Sequence, residues 1–343
     1  MTRALHLLGS AADGGAETYF TELATALHAD GHPTAAAVRH HAGREVRLTA
    51  AGVPFEVFGF GSPLDWGTRP AIRRYAKAQG SQVLVAWMNR AARHCPTGPW
   101  ARVGRLGGYY DLKNYKGFDA LVGNTADIRD WMIDQGWPAD RAFHIPNFAQ
   151  PDDSRAQSRA LLDTPRDAPL LLAMGRLHSA KAHDLTLKAL AQTPEAILWI
   201  AGTGPLEGDL RELAQTLGVA DRVRWLGWRN DAGALYRAAD IVVFPSRFEP
   251  LGNVVIQAWA YGRPVIAAES AGPKALIRDG ADGLLIPIDD AAALTTAIQR
   301  LIRDKPLRER MAANGLIRAQ EVSKATVLPQ WADLFDQLAR ERT

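Results

Sequence analysis

Cysteine is nearly absent from this 343-residue chain, Cys95 being its only one. A single thiol excludes an intramolecular disulfide and any cysteine-cluster metal site, and it suits a reducing compartment. No apolar run approaches the roughly 18 residues of a membrane span. The N-terminus has one arginine in a short apolar stretch, which reads as an opening strand and not as a secretory signal. Low-complexity tracts are missing too. With 47% hydrophobic and 22% charged residues, the composition is that of a folded soluble protein, expected in the cytoplasm from its single thiol, with disorder expected only at the ends.

The length exceeds what one hydrophobic core usually serves, so two domains with a cleft between them are expected. The net charge of +3 is unevenly placed: residues 1–150 carry 16 Lys+Arg against 13 Asp+Glu, and 151–343 carry 24 of each. Between Arg39 and Arg105 there are 11 basic residues against Glu45, Glu56 and Asp65. Such a run reads either as a solvated face or as a surface for an anionic partner, such as a phosphorylated acceptor or the inner face of an acidic membrane. No nucleic-acid-binding motif accompanies it, so nucleic acid is not expected as a partner.

Short apolar runs alternate with amphipathic stretches, the pattern of parallel sheets covered by helices. Strands are expected at 4–8, 34–38, 55–58, 83–87, 103–106, 120–122 and 142–145, then at 170–174, 197–201, 223–226, 241–244, 265–267 and 283–286. Phe20, Leu23, Ala24 and Leu27 recur at helical spacing until Gly31, and Leu206, Leu210, Leu213, Ala214 and Leu217 do so until Gly218. The resulting division is an N-terminal domain over 1–149, a polar linker over 150–168, a C-terminal domain over 169–325, and a terminal helix over 326–343 that packs back on the first domain.

Ligands of open parallel sheets bind beyond the carboxyl ends of the strands. Four loops there carry chemistry. "GSAADGGAETY" (9–19) places Gly14 and Gly15 before a helix, where backbone amides can approach a phosphate; a tight structural turn explains the glycines almost as well. "MGRLHSAKAHDL" (174–185) follows a strand with Gly175 and two cations, Arg176 and Lys181, a fork and a point charge suited to a diphosphate. His178 and His183 lack a third ligand and read as ordinary polar residues, so no metal site is assigned. "AGTGPLEGDL" (201–210) offers Gly202, Thr203 and Gly204. "FEPLGNVVIQAWAYGRPVIA" (248–267) sets Glu249 ahead of Leu251, Gly252, Asn253 and Val254 at a helix start, a carboxylate beside amides that suits a ligand carrying both phosphate and hydroxyls.

Together with "VRWLGW", "ADIVVFPSRFEPLG", "GADGLLIP", "GGAETYFTELATALHADGH" and "NTADIRDWMIDQGWPADRAFHIPNF", these motifs resemble the retaining glycosyltransferases of the GT-B fold, glycosyltransferase group 1 or family 4. The resemblance covers most of the chain and is strongest over 170–287. It implies two doubly wound Rossmann-like domains facing a cleft, a nucleotide-diphosphate sugar on the C-terminal domain (UDP favoured over GDP), and an acceptor on the N-terminal one. By position, Arg176 and Lys181 would bind the diphosphate, Glu249 the donor sugar, and the amides near Gly252 and Asn253 the phosphates. Gly14 and Gly15 would close on the phosphates, and Gly175, Gly202, Thr203, Gly204, Leu226, Leu251 and Val254 would line the donor site. No cofactor or divalent metal is implied beyond the nucleotide sugar.

Two departures mark this sequence. The family pattern places a second carboxylate eight residues after the first, for the nucleotide ribose, and here Gln257 stands there. An amide retains an acceptor and donors but loses charge assistance. Many relatives also carry a histidine where "RVGRLGGYYDLKNYKGFD" (102–119) has Gly107 and Gly108. Tyr109, Tyr110, Asp111 and Lys113 are therefore candidates for acceptor binding, with Arg90 and His94 as alternatives and structural roles equally open. The expected activity is sugar transfer to a glycan or lipid-linked acceptor in surface-polysaccharide or lipopolysaccharide assembly. The alternatives are a same-fold epimerase or hydrolase, and a catalytically weak nucleotide-sugar-binding protein.

Overall fold

Alternating buried strands and amphipathic helices divide the chain into two compact units, Met1–Asn147 with Lys324–Thr343, and Phe148–Ser323. The computed structural model describes residues 1–61 and 65–342. Each unit is a parallel sheet covered by helices. In unit 1 the strands are β1 (Ala4–Leu8), β2 (Thr34–Val38), β3 (Phe55–Val57), β4 (Val83–Trp87), β5 (Ala101–Leu106), β6 (Ala120–Gly123) and β7 (Ala142–His144). Their order is β3-β2-β1-β4-β5-β6-β7. In unit 2, β8 (Leu170–Met174), β9 (Ile197–Ala201), β10 (Val223–Gly227), β11 (Ile241–Phe244), β12 (Val265–Ala268) and β13 (Leu284–Ile286) run in the order β10-β9-β8-β11-β12-β13. Every strand expected from the sequence is present, with no end displaced by more than two residues.

The strand order reverses between β1 and β4 in unit 1 and between β8 and β11 in unit 2. At such a switch point, successive loops leave the sheet to opposite sides and open a crevice. This puts the loops after β8 and β11, which carry the predicted cations and Glu249, side by side.

The expected helical stripes fold as read. Helix Gly15–Ala29 buries Tyr19, Phe20, Leu23, Ala24 and Leu27, each large side chain contributing about 1.5–3 kcal/mol. Gly31, at φ 84°, turns the chain in the left-handed region. Helix Glu207–Thr216 ends as Gly218 (φ 67°) donates to the Gln215 carbonyl.

The polar stretch 150–168 is fastened to unit 2. Arg159 donates to the Ala238 carbonyl, Trp199 donates its indole N–H to Thr164, and Tyr261 Oη accepts from the Asp152 amide. Helix Lys324–Arg340 belongs to unit 1, where Asp336 accepts from the Thr2 amide and hydroxyl, Phe335 meets the His6 ring at 6.0 Å, and Glu341 pairs with Arg141.

Candidate active site

The loops after β8, β9 and β10 are joined backbone to backbone. The Gly175 amide donates to the Ala201 carbonyl, Leu177 to Thr203, and Gly202 to Gly227, all within 3.0 Å. Such contact needs bare α-carbons. Gly202 has φ 151°, and a methyl there would lie 2.0 Å from the Gly175 oxygen; one on Gly204 would lie 2.4 Å from the Leu177 oxygen. Gly202 and Gly204 thus serve the close approach of two loops. Thr203 is exposed between them, and Leu226 sits half-buried near the end of β10.

Lys181 and Glu249 form an ion pair across the switch point, their side chains 24% and 13% exposed. The lysine stem runs past Gly175, and its ammonium lies 5.2 Å from the Phe244 ring centre. The other carboxylate oxygen, Oε1, accepts from the Gly252 amide at 3.1 Å and, more weakly, from Leu251 at 3.4 Å. This corrects one sequence expectation. The Gly252 amide is taken by Glu249 instead of standing open to a phosphate, because the carboxylate folds back over the start of helix Asn253–Ala260. In that first turn the Val254 amide precedes any carbonyl of its own helix and so has no intrahelical acceptor. Arg176, by contrast, is exposed, and its guanidinium has no hydrogen-bond or ion-pair partner among the described residues.

Gln257 has a partner that the sequence did not suggest. Its Oε1 accepts from the Tyr236 hydroxyl at 3.0 Å, and the buried Tyr236 ring stacks on Tyr261 at 5.3 Å. One acceptor position of the amide is therefore engaged by the protein, leaving its N–H donors and a second lone pair for a ligand. Arg247 was also missed. It makes a two-point bond to Asp184 (2.9 Å each), donates to the Ser179 carbonyl, and gives its amide to Ala180. It thereby ties the Ser179–Lys181 turn to the loop bearing Glu249. Its only local signal was its place two residues before Glu249. His183, behind this turn, is 3% exposed, and burial pushes its imidazole down to about 4. His178 caps the turn through Nδ1.

In unit 1 the candidate residues separate into several places. Gly14 precedes helix Gly15–Ala29, whose start has no side-chain cap. The stem of exposed Arg90 lies across Gly9, at the end of β1. Tyr109 donates to Asp127 and packs edge-on against Trp131 at 5.5 Å, while Tyr110 leans into the core near Arg105. Asp111 and Lys113 pair with each other on the surface, and Asp111 caps the short turn Leu112–Tyr115. His94 is 8% exposed, packs on Phe60 at 5.7 Å, faces the Gly61 carbonyl at 3.4 Å, and titrates below the usual range because it is buried. That is a structural environment.

The basic run is not one face. Arg44 is 4% exposed and donates to the Ser10 and Ala12 carbonyls, bracing the glycine loop after β1; Arg105 is 2% exposed. Exposed cations concentrate on helix Thr68–Ala78, as Arg69, Arg73, Arg74 and Lys77, with Trp66 just before it 83% exposed. Among the described residues, no helix is long and apolar enough to cross a membrane.

Comparison with known proteins fits this geometry. The family model described as glycosyl transferases group 1 matches residues 154–318, which include Arg176, Lys181, Glu249 and Gln257. The lipopolysaccharide core biosynthesis glycosyltransferase LpsE of Rhizobium meliloti is 36% identical over 306 residues, covering 88% of this chain and 90% of that protein. LpsD of the same organism is 33% identical over 335 residues, covering 96% and 97%. Among solved structures, Anabaena HepE in complex with UDP-glucose superposes with a TM-score of 0.86 at 21% identity, covering 98% of this chain and all of that one. With two parallel-sheet Rossmann-like units of the GT-B type and this degree of likeness over nearly its full length, the chain belongs to the group 1 glycosyltransferases.

Proposed function

We propose that the protein is a retaining glycosyltransferase of family 4 that moves a sugar from a nucleotide-diphosphate donor to a glycan or lipid-linked acceptor. The observation that carries this reading is the Lys181–Glu249 pair at the switch point of unit 2, with Arg176, unpartnered among the described residues, in the same loop as Lys181. Cations placed before the ligand arrives stabilise charge that develops on the departing diphosphate without reorganising during the step. Lys181 has three N–H donors, so it can meet a phosphate oxygen while still holding Glu249. Glu249 keeps lone pairs for sugar hydroxyls, and the Val254 amide faces an anion at a helix start. In this reading the acceptor oxygen attacks the face that the leaving group vacates, and the departing phosphate takes its proton. Arg176 and Lys181 meet the leaving-group charge, so no divalent cation is assigned a role.

The donor is proposed as a UDP-sugar in preference to a GDP-sugar, a choice supported by the UDP-glucose complex of the structural neighbour. Lipopolysaccharide core assembly is proposed from the two Rhizobium relatives. The cationic face of helix Thr68–Ala78 with Trp66 supports peripheral contact with the anionic inner face of a membrane. A thermal-shift screen over nucleotide sugars, followed by proton NMR of the transfer product, tests the reading. Stabilisation by a UDP-sugar and an unchanged anomeric configuration are expected, with turnover unaffected by EDTA. Inversion would refute the mechanism, and conversion of donor without acceptor would point to a hydrolase or epimerase.

A further inference from the structure

Arg105 is a buried cation without a counter-charge. It lies one residue from the carboxyl end of β5, is 2% exposed, and pairs with no Asp or Glu among the described residues. Its Nη2 donates to Asn147 Oδ1, its Nε has no partner, and its guanidinium lies 5.0 Å from the Trp87 ring centre and 5.5 Å from that of Tyr19. Ring faces and a neutral amide offset only part of the desolvation of a full charge. Burial pushes the group down to about 10, so it stays protonated at neutral pH. Glu17 acts on Tyr110 and Arg44 and forms no pair with Arg105.

The backbone beside this cation is bare. Gly107, half-exposed, follows β5, and a methyl on it would sit 2.8 Å from Arg105 Nη1, 3.9 Å from Asn124 Nδ2 and 3.9 Å from Tyr110 Oη. Three polar side-chain atoms thus lie within 3.9 Å of the point where a side chain would begin. The same shell holds further unmet polarity, since Asn124 Oδ1 and the Tyr115 hydroxyl are buried without partners among the described residues. A buried cation, two neighbouring groups able to donate and a bare α-carbon suit an oxyanion.

We infer that Arg105, Asn124 and Tyr110 bind an oxyanion carried by the acceptor, a carboxylate or phosphate that enters over Gly107. The inference rests on the acceptor-side assignment of unit 1 and specifies what that acceptor must carry. A neutral glycan would leave Arg105 uncompensated. An acidic or phosphorylated sugar would supply the missing charge and orient itself by a two-point bond to the guanidinium.

The test reads binding alone, on the full chain, by NMR titration with glucose, glucuronate and glucose 6-phosphate, and with UDP as a separate ligand. At least one anionic sugar should bind about tenfold or more tightly than glucose. The stronger of the two identifies carboxylate or phosphate as the source. Arg105→Met should abolish the preference. Gly107→Ala should do so as well while keeping the arginine, so a folding defect in the first variant does not decide the matter. UDP affinity should be unchanged in Gly107→Ala, which separates this site from the donor assignment in unit 2. Equal binding of all three sugars by the wild type, or a preference that survives Gly107→Ala, would overturn the inference.

Discussion

Arg176 and Lys181 carry the same charge at neighbouring positions, yet the structure predicts that their removal has different consequences. Arg176 is exposed and has no partner among the described residues, so Arg176→Met should leave folding stability within about 0.5 kcal/mol of wild type. Lys181 is paired with a carboxylate that is 13% exposed, and Lys181→Met leaves that carboxylate with only the Gly252 and Leu251 amides. An exposed pair contributes at most about 1 kcal/mol, and breaking a fully buried one costs about 3–5 kcal/mol. With 24% and 13% exposure and two amides still bound, the expected cost is about 1–3 kcal/mol. Both variants should lose turnover by about 10²–10³-fold if the cations stabilise the leaving diphosphate. Urea denaturation measures the first quantity and nucleotide release in the presence of acceptor the second. Loss of turnover with retained stability is thus expected for Arg176→Met, and loss of both for Lys181→Met. Equal destabilisation by the two variants, or near-wild-type turnover in either, would refute the reasoning.

Three further outcomes are expected. Gln257→Glu should be tolerated by the fold, because a carboxylate accepts the Tyr236 hydroxyl at least as well, and it should tighten UDP binding by about tenfold through charge assistance, while Tyr236→Phe should cost about 1 kcal/mol by leaving the amide oxygen unmatched; calorimetry and urea melts check the two. Gly202→Ala combines a φ of 151° with a methyl 2.0 Å from the Gly175 oxygen and should cost about 3 kcal/mol or more, whereas Gly208→Ala, with nothing within 4 Å, should stabilise its helix by about 0.5–1 kcal/mol. Acid should weaken the fold through His183: its folded pKa of about 4 lies below the ordinary histidine value of 6.5, so its contribution is complete above pH 6.5 and declines as the pH falls toward 4, by up to about 3 kcal/mol. The urea midpoint of wild type should therefore fall relative to that of His183→Leu over that interval, and a constant difference would contradict it.

The strands and the placing of Arg176, Lys181 and Glu249 at strand ends could be read from the sequence because both are local properties. Apolar runs such as 170–174 and 241–244 declare themselves, and a parallel sheet then fixes where their loops emerge. Partnerships between distant residues could not be read in this way. Tyr236 and Gln257 are joined 21 residues apart, Arg247 and Asp184 63 apart, and neither pair leaves a periodic trace. The run of basic residues misled for the same reason, since composition counts a charge without saying which way its side chain points. Arg44 and Arg105 point inward, one bracing a loop and the other lying between aromatic rings.

Because helix Lys324–Arg340 completes unit 1, that unit is discontinuous in sequence while unit 2 is not. During synthesis, residues 148–323 emerge with all their own partners, whereas the first 147 wait for the last segment of the chain before Thr2 meets Asp336 and His6 meets Phe335. The later-made unit is therefore the first that can close, reversing the usual N-to-C order. A fragment ending at 147 should behave as an unfinished domain prone to aggregation, and a circular permutant that begins at 324 should restore vectorial folding to unit 1.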